Sequence, residues 1–304
     1  MAKGMPISMK QYSIFLAAAL LLPVAASAQV TDYNIFEEDF MSQTGPSTVT
    51  SNSDGWTFTA NLTTATSNPG DSVSVTSPSS TLYVMDTTSP GSSPATYTYQ
   101  QGFDSQADME AAFPVNNGVQ YTFGLNSTIF GQDQGTLTFP SGNSPALTYP
   151  SAQPIFSDYA AIQNLNAADQ FTFTFSGFNV VTGLSEQDLF LDIYNASTNA
   201  EVFNDDFLSP TTTSVTLAAN TLQAGTQYYV TLDYSNRLDT GDNGFGDLNG
   251  DAGYGYPSVF AGLDYNTRLD FGTATAAVPE PATVPMLLAG VGLLALGRRF
   301  LRRA

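Results

Sequence analysis

Hydrophobic and polar residues alternate with a period of two in many short runs of this chain. Such alternation puts every second side chain on one face, as in strands half buried in a sheet. Turn residues such as Asn68-Pro69-Gly70-Asp71 separate the runs. The alternating runs cover residues 56–62, 72–75, 82–85, 119–123, 135–139, 171–175, 189–194, 214–217 and 222–232. We therefore expect an all-β protein.

One stretch before the C-terminus has a helical pattern instead. Residues 104–113 predict a helix, because Asp104 or Ser105 can act as the N-cap and Pro114 ends the run. The strands that follow, near 119–123 and 135–139, predict a hairpin. We divide the chain into a signal peptide, a Ser/Thr-rich β region, a helix-plus-hairpin region, a β-sandwich and a C-terminal sorting segment. These regions cover residues 1–28, 29–100, 101–153, 154–273 and 274–304.

Residues 154–273 carry the clearest strand spacing, with polar turns between runs, and this favours a β-sandwich. The segment Leu222–Leu232 resembles the corner before the sixth strand of fibronectin type III domains, with a Leu, a Gly-Thr turn and a Tyr. The resemblance implies a fibronectin III/Ig-like ectodomain in which the Tyr228 hydroxyl bonds back to the main chain. The segment departs from the pattern in lacking a Trp on the second strand and in its long following loop.

The N-terminus reads as a secretory signal. Lys3 and Lys10 precede an uncharged, mostly apolar run, and Ala26-Ser27-Ala28 forms a small-x-small cleavage site. We expect cleavage after Ala28. The alternative is a membrane anchor that is never cut.

The C-terminus predicts a single transmembrane helix over residues 281–297, which are uncharged and rich in Leu, Ala, Gly and Val. As a helix, this run spans about 26 Å, close to the thickness of a bilayer core. Four arginines follow at once, Arg298, Arg299, Arg302 and Arg303. The positive-inside rule keeps this cluster in the cytoplasm and the rest of the chain outside the inner membrane. A buried core helix is the alternative.

The same segment resembles a PEP-CTERM sorting signal. The match consists of Val278, Pro279, Glu280 and Pro281, then the apolar helix, then the arginine cluster. The resemblance implies a substrate and partner of an exosortase in a Gram-negative-type bacterium. It also implies release to the cell surface or the exopolysaccharide matrix.

Charge narrows the set of partners. Between residues 29 and 277 the basic residues are Arg237 and Arg268, against 26 acidic residues, so this segment carries a net charge of −24. Nucleic acid is therefore repelled. Cations such as Ca²⁺ are attracted, although the same charge serves equally to keep an exported protein soluble.

The long loop between Tyr234 and Val259 holds the candidate ligands. Asp239, Asp242, Asp247, Asn249 and Asp251 could supply oxygen ligands to Ca²⁺, but the spacing is not that of an EF-hand. The alternative is a solvated Asp/Gly turn. Tyr254 and Tyr256 could stack on sugars, or could pack against the edge of the sandwich.

The sequence argues against an enzyme. The chain has no His and no Cys, and residues 29–277 contain no Lys, which removes the usual bases beside a nucleophile. Glu37, Glu38 and Asp39 are expected to form an exposed acidic edge. We expect a non-catalytic adhesive or structural protein of the cell surface or extracellular matrix, with no cofactor other than Ca²⁺ if the loop binds it. A carbohydrate-binding module for exopolysaccharide is the alternative, and a glycosidase is a less favoured one.

Overall fold

The computed structural model describes residues 30–65, 70–87, 94–115, 118–127, 131–139, 147–240 and 258–275. The predicted signal peptide and the sorting segment from residue 276 onward lie outside these ranges, as does most of the Asp/Gly loop.

The described residues form thirteen strands and two short helices, α1 at Gln106–Ala112 and α2 at Tyr159–Ile162. The first seven strands are β1 Val30–Gly45, β2 Thr48–Thr64, β3 Ser72–Thr76, β4 Leu82–Thr87, β5 Ala95–Phe103, β6 Gln120–Ser127 and β7 Gly131–Thr138. The remaining six are β8 Phe171–Thr174, β9 Glu186–Asn195, β10 Glu201–Leu208, β11 Ser214–Leu217, β12 Gln227–Asp239 and β13 Ser258–Gly272.

Eleven of these strands form one continuous sheet, in the order β10-β9-β12-β13-β1-β2-β5-β4-β3-β6-β7. The first strand lies near the centre of this sheet, where β1 pairs in parallel with β13 on one side and antiparallel with β2 on the other. The parallel pairing runs from Asp32 opposite Ser258 to Ser42 opposite Arg268. Strands from the two predicted regions 29–100 and 154–273 therefore share one hydrogen-bonded sheet.

The N-terminal half of the sheet folds over on itself to form a sandwich. Strand β4 makes this possible, since its last two residues pair with β5 while the rest pairs with β3. The layer β1-β2-β5 then faces the layer β4-β3-β6-β7, and Phe58 and Tyr121 meet between them with ring centroids 5.8 Å apart. Phe113, just after α1, stacks on Phe58 at 3.9 Å and closes this core.

The C-terminal half forms a second hydrophobic core. Here β10-β9-β12-β13 is covered by the separate two-stranded sheet β8-β11, and the buried rings of Phe173 and Phe271 meet across the layers. The predicted all-β sandwich is confirmed, and each half of the long sheet has its own core.

The predicted tyrosine corner is present at the start of β12. Tyr228 is buried, and its hydroxyl accepts a hydrogen bond from the main-chain N–H of Gln223 at 2.9 Å. Gly225 supplies the positive φ of 70° that the turn between them requires. The predicted helix is also present as α1, with Ser105 as its N-cap and the Ser105 hydroxyl accepting from the Asp108 N–H.

A connecting segment, residues 147–159, crosses the inner face of the sheet between the two cores. Phe156 in this segment is buried, so its main-chain groups need partners within the protein. Gln43 supplies two, since its side-chain amide both donates to the Phe156 carbonyl and accepts from the Phe156 N–H, each at 2.9 Å. The Asn236 amide donates to the Thr148 carbonyl at 2.7 Å. Polar side chains of the sheet thus hold this segment in place.

The corner hydrogen bond predicts a measurable contribution to stability. Replacing Tyr228→Phe removes one hydroxyl and leaves the ring, so we expect the free energy of unfolding to fall by about 1 kcal/mol in urea denaturation.

Tyr194→Phe is the matched control, because the Tyr194 ring lies partly exposed against Tyr229. The free energy of unfolding of Tyr194→Phe should fall by less than about 0.5 kcal/mol. Equal losses in the two variants would show that the corner bond contributes nothing of its own.

Candidate functional site

Most of the residues predicted to bind Ca²⁺ or sugars lie outside the described residues. This applies to Asp242, Asp247, Asn249, Asp251, Tyr254 and Tyr256. Asp239 is described: it ends β12, its side chain is exposed, and its N–H donates to the Ser185 hydroxyl at 2.6 Å. Within the described ranges, no three acidic side chains are arranged to hold a metal ion. Calcium binding by this loop stays a prediction.

The expectation of an exposed acidic edge at Glu37, Glu38 and Asp39 is wrong. These residues lie in the middle of β1, the central strand of the sheet, and Glu37 and Asp39 have 0% and 1% of their surface exposed. The period of two sends Glu37 and Asp39 to the inner face with Tyr33 and Ile35, while Glu38 points to the outer face. A strand covered on both faces leaves no room for an exposed edge.

On the inner face, Glu37 is closed off by the connecting segment. The Tyr149 hydroxyl donates to Glu37 Oε2 at 3.2 Å, and Glu37 Oε1 has no hydrogen-bond partner among the residues that the structure describes. Burial raises the pKa of Glu37 to about 8, with a smaller upward contribution from the charge of Glu110, and the Tyr149 hydrogen bond opposes both. Glu37 is therefore mostly protonated at neutral pH.

Three aromatic rings surround the second inner acid, Asp39. Trp56 on β2 and Tyr265 on β13 are its direct cross-strand neighbours. Tyr149 lies between these two rings, edge-on to Trp56 with centroids 5.4 Å apart and stacked on Tyr265 at 5.2 Å. The Ser51 hydroxyl donates to Asp39 Oδ1 at 3.3 Å. Burial raises the pKa of Asp39, and the hydrogen bond from Ser51 limits the rise.

On the outer face, Arg237 is the cation among three carboxyl groups. Glu38, Asp233 and Asp264 all have pKa values raised first by burial, and the nearby guanidinium of Arg237 opposes the rise in each. Repulsion by Asp264 adds to the rise for Glu38 and Asp233. The Arg237 Nε also donates to the Ser235 hydroxyl at 3.1 Å.

Aromatic rings cover Arg237 and shield this charge cluster. The guanidinium carbon lies 5.5 to 5.6 Å from the ring centroids of Phe36, Phe190 and Phe260, within the range of cation–π attraction. Gly262 makes room for one of these rings, since a Cβ there would come within 2.5 Å of Phe36 Cδ1. Low polarity around the cluster strengthens both attraction and repulsion within it.

The chemistry open to the inner acids follows from their positions. Glu37 and Asp39 are two residues apart on one strand, so their Cα atoms are separated by roughly 6.6 Å and their side chains share one face. Both are closed to solvent, and Tyr149 occupies the approach to Glu37. In this conformation Glu37 and Asp39 make their contacts with the connecting segment and with the sheet itself. The alternation of Tyr33, Ile35, Glu37 and Asp39 was the sequence signal that placed them on the core side.

Comparisons with known proteins bear on the C-terminus. Residues 277–303 match the model of the PEP-CTERM protein-sorting motif. The motif implies an exported protein of the cell surface that is sorted by an exosortase. The predicted transmembrane helix, Pro279, Glu280 and the arginine cluster all lie in this segment, outside the described residues. Among the residues with a described structure, no helix is long and apolar enough to cross a membrane.

The rest of the chain has weaker similarities. No curated protein matches it significantly. One similar solved structure is the crystal structure of the chicken CNTN1 FN1-FN3 domains, with 10% sequence identity and a TM-score of 0.23. The match covers 71% of this chain, which spans 62% of the other chain. A TM-score this low carries no argument about fold or function.

The raised pKa values of the buried acids predict that stability falls as the pH rises. The folded state holds these protons more tightly than the unfolded chain, so their stabilising contribution is complete at low pH and is lost as the pH passes the pKa of about 8 for Glu37. Exposed acids are already ionised by about pH 6. Between about pH 6 and pH 8.5 we expect the free energy of unfolding in urea to fall by at least about 2 kcal/mol.

The two arginines of residues 29–277 offer a matched pair of variants. Arg237→Gln removes the cation that stabilises the outer carboxylates. We expect it to lower the free energy of unfolding by about 2 to 4 kcal/mol at about pH 8.5, and by less at about pH 6. Arg268→Gln should cost under about 1 kcal/mol at either pH, because Arg268 and its partner Asp270 are largely exposed. A flat or rising pH profile, or equal losses in the two variants, would contradict this account.

Proposed function

We propose that this chain is a non-catalytic protein of the cell surface or extracellular matrix of a Gram-negative-type bacterium, where it carries tension between its C-terminal tether and an adhesive contact. In this proposal the C-terminal helix holds the chain in the inner membrane before the exosortase acts. The role is structural and adhesive, and exopolysaccharide is the matrix component that the chain meets.

The observation that carries the proposal is the position of the strand leading into the sorting motif. β13 ends at Gly272, a few residues before the motif begins at 277. It is a central strand, paired with β12 from Gly272 back to Phe260 and with β1 from Arg268 back to Ser258. A pull on the tether therefore acts first on the middle of the sheet.

The direction of the pairing determines how that pull is resisted. β1 and β13 are parallel, so the start of β1 and the end of β13 lie at opposite ends of their shared ladder. Tension between these two points slides one strand along the other and loads the whole ladder at once. The ladder spans eleven residue pairs, and forced unfolding requires its hydrogen bonds to break together.

The same geometry directs the opposite end of the molecule away from the tether. β13 contains 15 residues, which span roughly 50 Å in a strand. Thr240 and Ser258, which bracket the Asp/Gly loop, lie at the far end from Gly272. Contacts made there would be presented outward from the cell.

Composition supports the absence of catalysis. Residues 29–277 offer no His, Cys or Lys to activate a nucleophile. The acid pair on the inner face of β1, Glu37 and Asp39, is closed to solvent. A glycosidase would need Tyr149 to leave Glu37 before substrate could reach either acid.

Single-molecule pulling tests the mechanical part of the proposal. The chain has no Cys, so introduced pairs give unique attachment points. The pair Thr31→Cys and Thr275→Cys loads the β1–β13 ladder in shear, and we expect its unfolding force to exceed that of the control pair by at least about twofold.

The control pair is Ser197→Cys with Thr275→Cys. Ser197 follows the end of β9, and Asn195, Tyr228 and Phe271 are cross-strand neighbours at the tether end of the sheet. Pulling there separates strands from one end, one bond at a time. An unfolding force for the terminal pair no higher than for this control would refute the proposal.

A further inference from the structure

A notch interrupts the outer face of the layer formed by β4, β3, β6 and β7. It lies at Gly124 on β6, whose cross-strand neighbours are Ser74 on β3 and Gln134 on β7. The next row along the strands is Ser72, Asn126 and Gln132. The side chains of these rows surround a concavity of about 570 Å³.

The missing side chain of Gly124 creates this notch. The inner neighbours of Gly124, Phe123 and Leu125, are buried in the N-terminal core, so residue 124 must face outward. Glycine weakens a strand interior and often marks a place where another molecule approaches the backbone. Its φ is not positive, and a Cβ would meet only the Ser74 hydroxyl at 3.0 Å. The fold therefore does not require glycine here.

The lining is polar and mostly uncharged, although the acidic Asp133 also borders it. Its uncharged polar groups are the hydroxyls of Ser72 and Ser74 and the side-chain amides of Asn126, Gln132 and Gln134. None of these five side chains has a hydrogen-bond partner among the described residues. Asp133 lies at the rim, where its Oδ1 accepts from the Gln134 N–H at 2.8 Å. The notch thus offers both donors and acceptors that are free to bind a ligand.

An exposed apolar strip adjoins these polar groups. Leu82 and Val84 on β4 are 62% and 65% exposed, and Val84 is the cross-strand neighbour of Ser74. Exposed aliphatic side chains of this size next to a polar concavity are typical of ligand surfaces. The strip and the notch together cross four strands, or roughly 14 Å.

We propose that this surface binds a strand of neutral polysaccharide. Sugar hydroxyls both donate and accept hydrogen bonds, which matches amides and hydroxyls, and the C–H faces of sugar rings match Leu82 and Val84. The net charge of −24 over residues 29–277 repels anionic polymers. The width of four strands suits a chain of sugars better than a single one.

The site gives the proposed tension a second point of attachment. It lies in the half of the sheet that joins the tethered strand β13 through the β1–β13 ladder. Its adhesive role rests on the proposed function, but its binding does not. Binding is measured without force, so the failure of one proposal leaves the result for the other intact.

The test measures binding of the full-length chain, purified in detergent, to soluble polysaccharides by affinity electrophoresis. The panel contains neutral hydroxyethyl cellulose, mannan and dextran, with anionic alginate for comparison. We expect binding to at least one neutral polymer and none to alginate. Gly124→Thr fills the notch and should weaken binding at least about tenfold. Because Thr favours strands, this variant should melt no lower than the parent chain.

Gln134→Ala and Gln120→Ala form the matched control pair. Gln134 borders the notch, whereas Gln120 lies on the same face, four residues along β6, and donates to Thr138 at 3.0 Å. Gln134→Ala should weaken binding and Gln120→Ala should not. The proposal would be overturned by no binding to any neutral polymer, by a preference for alginate, or by full binding of Gly124→Thr. Self-association that disappears in Gly124→Thr would point to a second copy as the occupant and would also overturn it.

Discussion

The parallel ladder between β1 and β13 is the contact on which the rest of the structure depends. Each half of the long sheet has its own hydrophobic core, one around Phe58 and Tyr121 and the other around Phe173 and Phe271. The ladder joins β13, at the edge of the C-terminal layer, to β1, at the edge of the N-terminal layer. The connecting segment crosses this junction on the inner face of the sheet. Because the sorting motif follows β13, the strand that unites the halves also leads to the tether.

The ladder carries an unusual charge arrangement. The central strand contributes Glu37 and Asp39 to the inner face and Glu38 to the outer face, and Asp264 of β13 is the direct neighbour of Glu38. Residues 29–277 contain two arginines, and one of them, Arg237, lies beside Glu38 and Asp264 on the outer face. Burial raises the pKa of both inner acids, which accept hydrogen bonds from Tyr149 and Ser51. Buried acids at the centre of the sheet make its stability sensitive to pH.

Local sequence patterns predicted much of the fold. The alternating runs became strands, Ser105 capped α1, and Leu222–Leu232 formed the tyrosine corner. The pairing of β1 with β13 was not predictable in this way, because their residues are more than 200 positions apart and no local signal encodes which strands meet. That missing information also explains the error over Glu37 to Asp39: the acids looked exposed until their strand became the central one.

The candidate sites also differ in whether local sequence alone could reveal them. The Asp/Gly loop was conspicuous in sequence because its ligand types are close together in the chain. The notch at Gly124 depends on residues from three strands, so only the pairing of β3, β6 and β7 brings Ser74 and Gln134 beside the glycine. A glycine inside an alternating run was the available signal, and it has meaning only once the neighbouring strands are known.

Native-state hydrogen exchange tests most directly whether the β1–β13 ladder unites the molecule. The account predicts that amides such as those of Ile35 and Leu263 exchange only through global unfolding, with the same opening free energy as protected amides in β6 and β9. Faster exchange along β1 and β13 than within the two cores would contradict it, because the halves would then separate before either unfolds.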